Sequence, residues 1–146
     1  MRLNIKGFKC FEDDTFELNK VTLLTGTNGS GKSSIIQALL LIRQAVEAND
    51  KIASNIHRAS LNDQYALNIG TTHEIKNWNV KECKISLDDA VFEMLIDDKK
   101  ATDYIDIKLD ALSKVPNPIK EKEFYYLNAE RLGPRYISEF HYRVAS

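Results

Sequence analysis

The residues best suited to chemistry form one short run, GTNGSGKS at residues 26–33, which matches the pattern G-x-x-x-x-G-K-[ST] in full. Glycines permit backbone conformations that a Cβ atom forbids, so several N–H groups can point together at one anion. Lys32 adds a positive charge suited to the β- and γ-phosphates of a nucleotide, and the Ser33 hydroxyl suits Mg²⁺. This glycine loop therefore predicts a site for Mg-ATP.

The predicted cofactor-binding residues all belong to the glycine loop or follow it directly, and Ser33 is also the predicted magnesium ligand. They are Gly26, Thr27, Asn28, Gly29, Ser30, Gly31, Lys32, Ser33 and Ser34. The motif does not specify a reaction, because many chemistries share such a loop. No catalytic residue is assigned from the sequence.

The elements around the loop have the order strand, loop, helix. Residues 21–25 (VTLLT) are nearly all apolar, which predicts a strand buried on both faces. Residues 33–48 carry a broad apolar face and predict a largely buried helix. Ahead of them, apolar alternation at residues 3–8 and 16–18 predicts two short strands around a polar turn.

The second half of the chain predicts an antiparallel meander. Short strands are indicated at residues 84–87, 91–96 and 104–109, with turn residues and no helix between them. Further short strands are predicted at residues 67–70 and 123–127. Residues 49–64 are polar and aperiodic, so a loop with a partly helical segment is expected there.

Residues 94–98 (MLIDD) raise the possibility of a metal-binding Walker B strand, because an apolar run is followed by acids. Glu93 makes the run alternate, and Lys99 and Lys100 follow it at once, as in a turn. A hairpin is therefore favoured over a metal site. His57, His73 and His141 are scattered without metal-ligand spacing and are expected to be surface or hydrogen-bonded residues.

Size, charge and cysteine spacing reduce the number of functional classes that fit this chain. The chain has 146 residues, the size of one domain, and a formal net charge of -1, so it lacks the overall positive charge of an autonomous nonspecific DNA-binding protein. Its two cysteines lack zinc-site spacing and suit a reducing cytosol. No signal-peptide pattern or membrane-length apolar run is present, so a cytoplasmic protein without a membrane partner is expected.

Two ends of the chain resemble known ATPases. Residues 5–39 are similar to the start of an ABC-type ATPase head of the SMC and RecF kind, with Phe8 and Phe11 in an F-x-x-F type hairpin and then a G-x-N-G-S-G-K-S loop. Residues 125–135 (YYLNAERLGPR) resemble a Y-L-S-A-E-R-x-G-P-R segment of bacterial AAA-family ATPases related to OLD nucleases and anti-phage defence ATPases. Residues 67–75 (LNIGTTHEI) resemble the L-G-S-x-x-D-L turn of that group.

This resemblance implies an α/β P-loop NTPase fold, as one partial ABC-type head over residues 1–146. The hairpin, P-loop and helix occupy residues 1–48, and an antiparallel β lobe occupies residues 84–128. Full-length relatives are implied to form homodimers with ATP sandwiched between heads, with a nucleic acid or nuclease partner in DNA-related or anti-phage defence work. Lys9 falls where such heads often place a side chain near the nucleotide, although a surface lysine beside a strand explains it equally well.

Hydrolysis in this family needs a signature helix, a strand ending in Asp-Glu and a downstream His. In relatives these follow the segment that resembles ERLGPR, yet this sequence ends eleven residues after Arg135 and contains no L-S-x-G. ATP binding without turnover is therefore expected from this chain alone. Two alternatives stay open, a small-molecule P-loop kinase and a nucleotide-binding interaction module without turnover. A kinase is disfavoured by the hairpin that precedes the loop and by the scarcity of arginine between the loop and Arg131.

Overall fold

Six antiparallel strands and one long helix dominate the computed structural model, which describes residues 1–49, 54–122 and 124–127. The sheet has the strand order β2-β1-β4-β5-β6-β3. The strands are β1 (Arg2–Phe8), β2 (Phe11–Glu17), β3 (Ile56–Ser60), β4 (Lys84–Leu87), β5 (Ala90–Leu95) and β6 (Tyr104–Leu109). The helices are α1 (Lys32–Asn49), α2 (Thr72–Ile75) and α3 (Asn117–Lys120), with single 3-10 turns at Gln64–Ala66 and Leu112–Lys114.

The predicted hairpin and meander are confirmed. β4, β5 and β6 pair antiparallel in succession, within one residue of the predicted bounds. β1 pairs antiparallel with β2, but β2 begins at Phe11, so the polar residues 12–14, predicted as the turn of this hairpin, belong to the strand. β1 also pairs with β4, which joins the N-terminal hairpin to the meander in one sheet. The predicted helix at residues 33–48 is confirmed as α1.

The prediction of a strand at residues 21–25 is wrong for the described part of the chain. These residues form no strand there, and Val21 and Leu23 are 89% and 82% exposed. A strand buried on both faces needs neighbours to pair with, and none of the six described strands pairs with this segment. Its apolar residues are therefore left in solvent, except that Leu24 packs against the core.

The region between α1 and β4 also differs from expectation. The segment expected to be a loop with some helix contains β3, which pairs antiparallel with β6 from Ile56 opposite Lys108 to Ser60 opposite Tyr104. Residues 67–70 form no strand and make only an isolated bridge between Asn62 and Asn68. Residues 124–127 are not a strand, and residue 123 lies outside the described residues. Residues 128–146, with the whole ERLGPR segment at 130–135, also lie outside them.

The core lies between one face of the sheet and α1. Alternate strand residues such as Ile5, Ile85, Phe92 and Ile107 are fully buried, as period-2 patterning requires. The side-chain amide of Gln44 donates to the Ser60 carbonyl oxygen at 3.1 Å and its oxygen accepts from the Ser60 N–H at 2.9 Å, which ties α1 to the edge strand β3. These contacts fix the helix whose first turn borders the glycine loop.

The helices were compared with the length and apolar character of a membrane span. Of the helices within residues 1–49, 54–122 and 124–127, none combines the length and apolar character that crossing a bilayer requires.

Candidate functional site

The glycine loop connects the β1–β2 hairpin region to α1, and its three glycines all adopt positive φ. Gly26, Gly29 and Gly31 have φ values of 148°, 82° and 90°. L-residues with a Cβ rarely adopt such angles, so these positions need glycine. The backbone thereby curls into a loop that continues directly into the helix at Lys32.

Gly31 also lies against the hairpin. A Cβ atom at Gly31 would stand 2.5 Å from Phe11 Cζ and 2.9 Å from Cys10 Sγ, closer than real Cβ atoms approach other atoms. Phe11 is itself buried and meets Phe16 edge to face at 5.4 Å between ring centroids. The turn between β1 and β2 therefore packs on the glycine loop and fixes its position. This contact explains the structural role of Phe11 in the F-x-x-F element.

Lys32 folds back into the loop. Its Nζ donates to the Gly26 carbonyl oxygen at 2.7 Å, to the Thr27 carbonyl oxygen at 2.5 Å and to Ser30 Oγ at 3.1 Å. The loop thus wraps around a positive charge with several oxygen partners. Since those partners are neutral, phosphate oxygens would compete well for the ammonium group, because hydrogen bonds between ions are stronger.

The start of α1 adds a second attraction for anions. The Ile35 N–H donates to the Gly31 carbonyl oxygen at 3.0 Å, so the helical hydrogen-bond ladder begins within the loop. The N–H groups of the first turn have no partner earlier in the helix and stand at the positive end of its dipole. A helix of 18 residues that follows a glycine-rich loop is a favourable setting for a bound phosphate.

A cleft of about 260 Å³ opens at this point. Most of the predicted residues line it, and they are Asn28, Gly29, Gly31, Lys32, Ser33 and Ser34. The other three, Gly26, Thr27 and Ser30, are not among its lining residues. Gly26 and Thr27 contribute carbonyl oxygens, and Ser30 its hydroxyl oxygen, to the Lys32 ammonium. The predicted set is therefore assembled in one place.

The hairpin contributes two further residues to the cleft, Lys9 and Cys10. Lys9 Nζ donates to Gln37 Oε1 at 2.7 Å, on the second turn of α1. Burial lowers the pKa of Lys9 below its ordinary value, and the nearby Cys10 and Glu74 oppose that shift. Lys9 was suggested only by the family resemblance, and nothing in the sequence pattern pointed to Cys10, whose place depends on how the hairpin turn folds over the loop.

The MLIDD segment is part of a hairpin, as the sequence favoured. β5 ends at Leu95, the Lys100 N–H donates to the Asp97 carbonyl oxygen in the following turn, and the chain returns as β6. Asp98 forms an ion pair with Lys76. Within the described residues no three His, Cys, Asp or Glu side chains are grouped as a metal site requires.

The histidines have local partners where the structure describes them. His57 is buried on β3, and its Nε2 lies within hydrogen-bonding distance of both the Ser54 carbonyl oxygen and the Asn49 side-chain nitrogen. His73 meets the ring of Trp78 edge to face. His141 lies outside the described residues.

Comparison with known proteins gives two matches. The family model described as "AAA ATPase domain" matches residues 1–136. A protein named "OLD nuclease" from Thermus scotoductus is 42% identical over 41 residues, which is 28% of this chain and 8% of that protein. The matched part is thus a small fraction of the nuclease. No solved structure matches the chain significantly.

Proposed function

The chain belongs to the AAA ATPase domain family, and we propose that it binds Mg-ATP through the glycine loop, with the fold of an ABC-type P-loop ATPase head. The observation that carries this proposal is the position of Lys32. Its ammonium group lies inside a loop of positive-φ glycines, at the first turn of an 18-residue helix, and it lines a cleft with Ser33.

Each residue of the loop has a proposed role. The N–H groups of residues 28–33 surround the phosphates, and Lys32 exchanges its carbonyl partners for β- and γ-phosphate oxygens. The Ser33 hydroxyl, which is exposed at the cleft, ligates Mg²⁺ and Ser34 lies beside it on the first turn. These residues fit Mg-ATP, because the backbone N–H groups, the Lys32 ammonium and the Ser33 hydroxyl surround an open cleft.

We propose that this chain alone holds the nucleotide without hydrolysing it. Hydrolysis requires a group that orients the attacking water and a second set of charges on the leaving phosphate. The sequence offers no signature L-S-x-G stretch, and the MLIDD acids belong to a turn and an ion pair. Turnover would then depend on elements contributed by further residues or by a partner.

Titration calorimetry with Mg-ATP tests the binding proposal. Lys32→Ala removes charge-assisted hydrogen bonds to two phosphates, so affinity should fall at least about 100-fold. Lys20→Ala removes an exposed lysine that precedes the loop and lies outside the cleft, so its affinity should match the unchanged chain. Unaltered affinity in Lys32→Ala would contradict the site.

The cellular role is a separate proposal. We propose a role in a DNA-related or anti-phage defence system, and the likeness to a protein named OLD nuclease supports the DNA-related part of it. The proposal includes homodimers that sandwich ATP between heads and a nucleic acid or nuclease as partner. Deleting the gene in its own host should then raise the plating efficiency of at least one phage. Restoring the gene should reverse the effect, and restoring it with Lys32→Ala should not.

A further inference from the structure

Lys9 lies in a turn whose backbone conformation disfavours lysine. Lys9 and Cys10 alone connect β1 to β2, and Phe8 pairs directly with Phe11 across the hairpin. Lys9 adopts a φ of 51°, in the left-handed region where two-residue hairpin turns favour glycine or asparagine. A residue held in an unfavourable backbone conformation is a candidate for a functional side chain.

Hydrogen bonds fix both the backbone and the side chain of Lys9. Its backbone N–H donates to the Ile75 carbonyl oxygen at 2.6 Å, which holds the turn in place. Its Nζ donates to Oε1 of Gln37, a half-buried residue of α1, at 2.7 Å. Lys9 therefore connects the hairpin to α1, and it lines the same cleft as Lys32 and Ser33.

Gln37 lies on the part of α1 that adjoins the glycine loop. It follows Ser33 by four residues, and residues four apart on a helix lie on the same face. Ser33 lines the cleft, so Gln37 begins about one helical turn from the cleft wall. Gln37 lies outside the G-x-x-x-x-G-K-[ST] motif and is not among the residues that line the cleft. It can therefore direct the Lys9 ammonium without occupying the space of the ligand.

The cleft is lined by two positive charges and by no negative one. Of its eight lining residues, Lys9 and Lys32 are cations and none is an acid. Four other lysines of the described residues form ion pairs with carboxylates, but these two do not. Glu74, whose charge acts on Lys9, accepts a hydrogen bond from the Thr71 N–H. The two cations therefore leave a positive charge in the cleft that a polyphosphate can neutralise.

We infer that Gln37 is a positioning residue for nucleotide binding, because it holds the Lys9 ammonium at the cleft as a second positive charge beside that of Lys32. The inference rests on the proposed function of the glycine loop. Gln37 is neutral, so it orients the ammonium group without offsetting its charge, whereas a carboxylate in its place would form an ion pair with Lys9. Phosphate oxygens then gain a charge-assisted hydrogen bond from Lys9 in addition to those from Lys32.

Titration calorimetry of folded variants with Mg-ATP and with magnesium tripolyphosphate tests the inference. Gln37→Leu keeps a side chain of similar size without the oxygen, and it should weaken binding of both ligands about 3- to 10-fold. Lys9→Met removes the charge and should weaken binding of both about 10- to 150-fold. In the double variant, Gln37→Leu should cause no further loss, because its effect passes through Lys9.

Gln44→Leu is the matched control, because it makes the same substitution on the same helix. The side-chain amide of Gln44 bonds to the backbone of Ser60 on β3, and neither residue lines the cleft. Gln44→Leu should lower the free energy of unfolding, but the folded variant should bind both ligands as tightly as the unchanged chain.

Three results would overturn the inference. If Gln37→Leu lowers the free energy of unfolding but binds both ligands like the unchanged chain, the contact with Lys9 only ties the hairpin to α1. If Gln37→Leu binds ATP more tightly, Gln37 holds the Lys9 ammonium away from the phosphates. If the unchanged chain binds neither ligand, the proposed function fails and the inference with it.

Discussion

Replacing Gly31 by alanine tests whether the hairpin holds the glycine loop in place. At φ 90° an alanine bears backbone strain of about 1–2 kcal/mol. Its Cβ would also stand 2.5 Å from Phe11 Cζ and 2.9 Å from Cys10 Sγ, and overpacking of this kind costs about 1–3 kcal/mol. Phe11 cannot move away freely, because it is buried and packs against Phe16. The free energy of unfolding should fall by about 2–5 kcal/mol.

Gly29→Ala separates the cost of backbone strain from the cost of overpacking. Gly29 has a similar φ of 82°, but a Cβ there would meet no atom within 4 Å. Urea denaturation should therefore show a smaller loss, about 1–2 kcal/mol, from backbone strain alone. Phe11→Leu combined with Gly31→Ala should recover part of the difference, because leucine lacks the clashing ring atoms. Equal stability of the two alanine variants would refute the proposed contact between hairpin and loop.

Three further predictions concern single side chains. Burial and a hydrogen bond to Glu47 raise the pKa of Tyr65 from 10.0 to about 12. The unfolded chain therefore ionises first, so stability should fall as pH rises from 10 toward 12, and denaturation of Tyr65→Phe across that range should lack this part of the fall. Iodoacetamide should alkylate exposed Cys10 well before Cys83, whose pKa burial raises to about 12, and Mg-ATP should slow the Cys10 reaction in mass spectra because Cys10 lines the cleft. Gln44→Leu should lower the unfolding free energy by about 1–3 kcal/mol in urea, since it leaves two backbone groups of β3 without their partner.

Sequence patterns correctly predicted the elements whose structure depends on residues close together in the sequence. The meander strands follow period-2 alternation, and buried residues such as Ile85 and Ile107 fall on the expected face. The glycine loop follows from the conformational demands of its glycines, which the positive φ values meet. Of the nine predicted cofactor residues, all lie in the described part of the chain, where they line the cleft or surround Lys32.

The predictions that were wrong concern segments whose structure depends on contacts with residues far away in the sequence. The sequence of β3 does not show a strand pattern, because its polar residue His57 is buried and its apolar residue Ile56 is exposed. Ile56 is 46% exposed and His57 only 4%. Its pairing with β6 decides its structure, and pairing at that sequence distance leaves no local pattern. At residues 21–25 the pattern indicates burial, but the described sheet has no strand to pair with it. Cys10 gains its position in the cleft from the packing of the hairpin turn on the glycine loop, which no motif records.

The most direct test of nucleotide binding is an amide chemical-shift map of the ¹⁵N-labelled 146-residue chain titrated with Mg-ATP. The largest shifts should fall at residues 26–34, where the N–H groups face the proposed phosphates, with smaller shifts at Lys9 and Cys10 on the cleft wall. The same titration of Lys32→Ala should leave these amides unmoved. Shifts centred instead on the separate cleft lined by Lys76, Lys81 and Asp97, with residues 26–34 unchanged, would contradict the glycine loop as the nucleotide site.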